Sequence, residues 1–259
     1  MKHQLTSYLK FLLQSTNAHG VHSPFVYDLV TQCFYDKTEY PAYTLLAEYN
    51  QALQSNAETI AVTDFGQGSR VFKSNERKVS AIAKYAGISA KRQQLLYRLA
   101  HYFKPALSLE LGTSLGMATS AMALGNPNGT VTTLEGCPNT AERASEAFKK
   151  FQLNNINLIV QPFEAYFDSA QKTSEKLDLV FIDGNHNKER TLEYFEELIP
   201  LTSENSVFIL DDIYWSEEMT EAWEEISKHP EVTVSIDTYH WGLIFFRKTQ
   251  PKQHFKIRV

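Results

Sequence analysis

The chain has 259 residues, 43% of them hydrophobic and 21% charged, with a formal net charge of −5. That length suits one large α/β domain, or a core domain with a smaller extension, of soluble globular composition. The acidic balance argues against general nucleic-acid binding, no apolar run approaches the ~20 residues of a membrane span, and Cys33 and Cys137 lack disulfide-framework or zinc spacing.

In chain order, Leu5, Leu9, Leu12 and Leu13 give the first segment one apolar side and predict a helix. It lacks the long apolar core and small-residue cleavage site of a secretory signal, so it reads as part of the mature protein, with a reducing cytoplasm as the expected compartment. Ile60–Ser69, IAVTDFGQGS, resembles a strand entering a Gly-x-Gly turn. The residues after Gly68 supply no second strand ending in an acid, so Gly66 and Gly68 are assigned to a loop turn. From Gly66 to Lys104 the basic residues Arg70, Lys73, Arg77, Lys78, Lys84, Lys91, Arg92, Arg98 and Lys104 face one acid, Glu76. This is either a solvated helical surface or a patch that meets an anionic substrate. Within it, SAKRQQLLYRLAHYF predicts a helix with Leu95, Leu96, Leu99, Ala100 and Phe103 on one stripe.

From Ala106 the pattern changes to alternating strands and helices. The strands are ALSLEL, TVTTLE, INLIVQ, LDLVFID, SVFILDD, VTVSID and LIFFRK; the helices are Ser114–Leu124, Asn139–Phe151, Phe163–Ala170, Lys188–Leu198 and Glu217–Lys228. Too few residues separate the last two strands for a parallel crossover, so they should pair antiparallel. The expected fold is α/β: a Rossmann-like, doubly wound, mostly parallel seven-stranded sheet with an antiparallel last strand. Residues 1–104 are expected to form a mainly helical N-terminal extension, a lid or packing element, and 105–259 the sheet domain.

The stretch SLELGTSLGMATSAM contains GTSLG, which suits two chemistries. As Gly-x-Ser-x-Gly it could expose a nucleophilic Ser114, with Asp183 or Asp211 and then His240 following in hydrolase order. The largely helical chain upstream, which offers only His19-Gly20 as an oxyanion loop, disfavours that reading. As a strand, turn and helix it is a cofactor floor, and Glu135 closes the next strand 23 positions beyond Gly112, where an acid can grip ribose hydroxyls. A dinucleotide is disfavoured because Gly112-x-x-x-Gly116 lacks the middle glycine that a pyrophosphate needs. A non-catalytic cofactor-binding module stays open.

LSLELGTSLGMATSAMA, the acid of TTLEG, QPFEAYF and LDLVFIDGNH, in this order, resemble the cofactor motifs of class I S-adenosylmethionine-dependent methyltransferases, and most of all the catechol O-methyltransferase-like subgroup. The resemblance spans Ala106 to about Lys248. It implies an S-adenosylmethionine site at Glu110, Gly112, Thr113, Ser114, Gly116, Met117, Glu135, Phe163, Glu164 and Asp183. It also implies a Mg²⁺-type divalent ion on Asp183, Asp211 and Asp212, where the family usually has Asn at the third position. His186 falls where catechol-type enzymes place a catalytic lysine, and imidazoles as a class titrate near neutrality, which suits a base. The activity implied is methyl transfer, to oxygen in the first instance, on a small aromatic or anionic acceptor. Tyr214, Trp215, Tyr239, His240 and Trp241 are candidates to wall that acceptor or to form a protein interface. HGVHSPFVYDLV and the basic stretch are candidates to cover it, and a homodimer stays open.

Overall fold

The first helix, α1 (Lys2–Gln14), forms where the leucine spacing predicts it, but the side it buries carries Phe11 while Leu5, Leu9 and Leu13 are exposed. In this computed structural model the described residues are 2–66, 68, 72–169 and 172–259, so Arg70 and Ala170, the end of an expected helix, lie outside them. Proline opens α2 (Pro24–Leu29), where its missing N–H costs nothing, and the Ser23 hydroxyl caps it. After α3 (Ala42–Gln54) come a short antiparallel pair, β1 (Thr59–Ala61) and β2 (Glu76–Lys78), and then α4 (Val79–Tyr85) and α5 (Ala90–Phe103). Ser89 caps α5 and Lys104 ends it in the left-handed region.

Strand and helix then alternate: β3 (Leu107–Leu111), α6 (Met117–Gly125), β4 (Thr130–Glu135), α7 (Pro138–Lys150), β5 (Ile156–Val160), α8 (Phe163–Phe167), β6 (Leu179–Ile182), α9 (Lys188–Leu198), β7 (Val207–Asp211), α10 (Glu217–Lys228), β8 (Val234–Asp237), β9 (Trp241–Phe245) and β10 (Gln253–Lys256). Among the described residues β3 to β10 are the eight strands of a mostly parallel sheet with helices on both sides. The seven strands expected from the sequence are β3 to β9. The eighth, β10, has the sequence QHFK, with no apolar run to announce it, and it is a strand because β8 accepts it as a parallel neighbour, with Ser235 Oγ and His254 Nδ1 2.8 Å apart.

Two compact units divide the chain, and residues 1–104 are shared between them: the chain up to Tyr35 belongs with Ser174–Val259, and the rest with Asp36–Thr173. In the first unit the strand order is β10-β8-β9-β7-β6. β6 and β7 are parallel, and β9 is antiparallel to both β7 and β8, as the short final connection requires. Val207, Phe208, Ile209 and Leu210 are inaccessible, as a strand covered on both faces must be. Tyr8 and Phe11 of α1 rest on the Tyr239 ring, whose hydroxyl donates to the Gln4 carbonyl at 2.9 Å.

In the second unit the order is β3-β4-β5, all parallel, with Glu110 level with Thr133 and Leu134 level with Ile159. The α5 stripe is buried as predicted at Leu95, Leu96, Leu99 and Ala100, while Phe103 at its end is only half-buried. Gln93 lies on that stripe too, and its amide donates to the Met117 carbonyl at 2.8 Å. Gly116 precedes α6 with φ 74°, and a Cβ there would stand 2.3 Å from the Phe148 ring and 2.7 Å from the Tyr49 hydroxyl. Gly116→Ala combines a left-handed backbone penalty with overpacking, so a loss of about 2–3 kcal/mol is expected. A urea midpoint equal to that of the parent protein would show that Phe148 and Tyr49 yield freely.

Candidate cofactor and catalytic site

The turn joining β3 to α6 is held from outside itself. The N–H groups of Gly112 and Thr113 donate to the Leu134 carbonyl at 3.0 and 3.1 Å, and the Tyr49 hydroxyl donates to the Leu115 carbonyl at 2.8 Å. Gly112 has φ 107°, which a side chain resists, and its bare Cα lets a ligand approach the backbone. The helix expected from Ser114 starts only at Met117. Ser114, at φ 49°, lies in the turn, because the left-handed Gly116 interrupts the helical path in front of α6. Tyr49 and Gln93, which brace this turn, carry no motif; only the place of Gln93 on an apolar stripe hints at a buried role.

Two carboxylates flank the turn. Glu110 on β3 is fully buried, and its Oε2 accepts from the hydroxyls of Thr119 and Thr133, each at 2.5 Å. Thr113 stands behind Thr133, oxygen to oxygen at 2.6 Å. Among the described residues Oε1 of Glu110 has no partner. Burial pushes this carboxyl up to about 8; the two threonines oppose the shift and the charge of Glu135 adds to it. Glu135 ends β4 half-buried, with Oε2 accepting from Ser114 N at 2.8 Å and Oε1 from Cys137 N at 2.9 Å. Burial raises its pKa too, against the pull of those two N–H donors. An orphaned buried acceptor, a second carboxylate and an open glycine turn within one unit fit the ammonium and ribose hydroxyls of an adenosyl amino acid. In the same unit Phe163, 9% exposed, and the half-buried Glu164 open α8.

The remaining candidates belong to the other unit. Asp183 follows β6, and its Oδ1 is 3.8 Å from His186 Nε2. The imidazole leans on Trp215 at 5.7 Å and 32°. Asn185 and His186 have φ 64° and 44°, a tight turn in which the Asn185 amide donates to the Tyr194 hydroxyl. Asp211 is buried at the end of β7, with Oδ1 turned back onto the N–H of Asp212 at 2.9 Å, and Asp212 has φ 51°. Among the described residues no group of three or more His, Cys, Asp and Glu side chains could hold a metal ion. Asp183, Asp211 and Asp212, the residues on which the sequence resemblance implies a divalent ion, are not gathered into such a group, and Asp211 Oδ1 is engaged by its own neighbour. Trp241 also differs from expectation: it is a β9 residue, 1% exposed and edge-on to Phe181, so it is core and not an acceptor wall. Tyr214 stacks on Tyr239 at 5.3 Å and donates to Asp237 Oδ2 at 2.6 Å, while His240 is exposed beside Tyr239.

Among the described residues no helix is long and apolar enough to cross a membrane. Residues 109–213 match a family model described as a methyltransferase domain. Solved structures share the fold. A cofactor-bound protein from MTB is 22% identical, with a TM-score of 0.58 over 84% of this chain and 96% of that one. A Podospora anserina methyltransferase bound to SAH is 17% identical, with a TM-score of 0.62 over 88% and 97%. An O-methyltransferase from Bacillus cereus in complex with SAH is 17% identical, with a TM-score of 0.55 over 84% and 96%. Residues 109–213 thus match a methyltransferase domain, and the chain has the fold that these methyltransferase structures share.

Proposed function

We propose that the protein transfers a methyl group from S-adenosylmethionine to a hydroxyl oxygen of a small acceptor. The observation that carries this reading is the paired arrangement of Glu110 and Glu135 around the Gly112 turn, with a buried oxygen unpartnered among the described residues on one side and a carboxylate capping Ser114 N on the other. Glu110 Oε1 takes the ammonium group, Glu135 takes the ribose hydroxyls through its remaining lone pairs, and the bare Gly112 backbone lets the amino-acid portion lie close. Thr113 holds the hydroxyl chain that orients Glu110, and Met117 and Phe163 supply apolar wall. Glu164, in the first turn of α8, is the polar group for the base.

The cofactor supplies an electrophilic methyl on a positively charged sulfur. The protein orients the acceptor, excludes water and removes the acceptor's proton. His186 is the group proposed to take that proton. Asp183 Oδ1 stands 3.8 Å from its Nε2, and Trp215 supports the ring. No step here uses a metal ion, and turnover measured with and without a chelator reads any such requirement directly.

The Glu135 role has a direct test in calorimetry with S-adenosylhomocysteine. Glu135→Ala is expected to lose on the order of 1.5–3 kcal/mol of binding, the worth of hydrogen bonds to a charged group. Unchanged affinity in a folded variant would remove Glu135 from the site. The same titration on the parent protein tests the whole reading, because absence of binding there leaves the two carboxylates without a ligand.

A further inference from the structure

We propose that Phe65, in the segment between β1 and β2, forms one wall of the nucleoside end of the cofactor site and offers its ring to the adenine base. This rests on the cofactor reading above and adds a residue from a segment that contains none of the cofactor motifs. Phe65 is 52% exposed, one of few large apolar side chains in this unit so open to solvent. A Cβ on Gly136, the residue after Glu135, would lie 2.7 Å from the Phe65 ring. The ring thus occupies the space a side chain would otherwise fill beside the ribose-binding acid.

The hairpin does not reach that place loosely. Asn139 Nδ2 donates to the Ala61 carbonyl at 2.7 Å, Thr63 N to Cys137 Sγ at 3.3 Å, and Arg143 Nη1 bonds Glu58 Oε2 at 3.0 Å. Next to Phe65 in the chain, Arg77 Nη2 pairs with Asp64 Oδ2 at 3.2 Å and Gly66 N donates to Asp64 Oδ1 at 3.1 Å. The charge of Asp64 also raises the proton affinity of Glu135, as its proximity requires.

The direction of the bound nucleoside follows from the carboxylate's own partners. Glu135 Oε2 faces Ser114 N in the glycine turn, and Oε1 faces Cys137 N on the opposite side. A ligand whose amino-acid end lies at the turn and whose ribose grips Glu135 sends its base towards Gly136 and Cys137, where the exposed Phe65 ring stands. A flat base covering that ring removes apolar surface from water and gains stacking, with little dependence on hydrogen bonding.

The experiment is calorimetry with S-adenosylhomocysteine on the full chain and on Phe65→Tyr, Phe65→Ala, Gly136→Ala and Glu135→Ala, with thermal melts to establish that each is folded. Phe65→Ala should weaken binding about tenfold or more, and Phe65→Tyr, which keeps the ring, should stay within about threefold. Gly136→Ala, which displaces the ring, should weaken binding like Phe65→Ala. Unchanged affinity in folded Phe65→Ala, with Glu135→Ala impaired, overturns the Phe65 assignment alone. Tighter binding also overturns it, by showing that the ring stands where the base must go. No binding by the parent protein would instead sink the cofactor reading, and this inference with it.

Discussion

Replacing His186 with glutamine should lower kcat by about 10²–10⁴-fold, the usual contribution of a positioned general base, while leaving the S-adenosylhomocysteine dissociation constant within about twofold. Glutamine keeps a polar side chain of similar reach but cannot accept a proton at neutral pH. The split between turnover and affinity is diagnostic because His186 belongs to the loop after β6, whereas Glu110, Gly112 and Glu135 belong to the other unit. Asp183→Asn should lower kcat less than loss of the imidazole does, because it removes only the charge 3.8 Å from Nε2. Steady-state kinetics with an acceptor found by screening small hydroxyl compounds makes the measurement. A kcat in His186→Gln equal to that of the parent would assign proton removal to another group or to solvent.

Glu110 should make the fold lose stability as pH rises through the neutral range. Its carboxyl stays protonated in the native protein up to about 8, whereas in the unfolded chain it releases its proton near the ordinary value of 4.5. Between those limits the native state holds the extra proton, so stability is full below 4.5, declines by about 1.4 kcal/mol per pH unit, and levels off above about 8. Glu110→Gln keeps the shape and the acceptor for Thr119 and Thr133 but has no proton to lose. Urea unfolding at pH 5 and pH 7.5 should therefore show the parent losing roughly 3 kcal/mol relative to the variant. Parallel pH profiles for the two proteins would mean that Glu110 is ionised in the native state throughout. Cofactor binding adds a consequence: an ammonium group beside Oε1 favours the carboxylate, so binding near neutral pH should release a proton to the buffer.

The features that the sequence determines by itself are local. Helices begin where Ser23, Ser89, Asn187 and Ser216 place side-chain acceptors over free N–H groups, and α9 and α10 run over the residues that periodicity assigns to them. The buried stretches LVFI and VFIL are apolar throughout because both faces are covered, and the short link between β8 and β9 dictates their antiparallel pairing. The succession of glycine turn and acid likewise announces the cofactor floor, since both features lie within one strand-turn-helix-strand stretch. The tertiary structure alone decided whatever depends on partners distant in the chain. QHFK is a strand only because β8 offers it a hydrogen-bonded edge, and Trp241 is core because β9 lies between β7 and β8. Glu110 keeps its proton because burial removes water from its carboxyl. Asp211 Oδ1 turns to its neighbour's N–H, and Phe65 stands beside Gly136 through anchors on α7. Each of these outcomes is set by solvent exclusion and by hydrogen-bond partners tens of residues away or more, or by the direction a side chain takes, and none of these leaves a periodic or compositional mark on the segment itself.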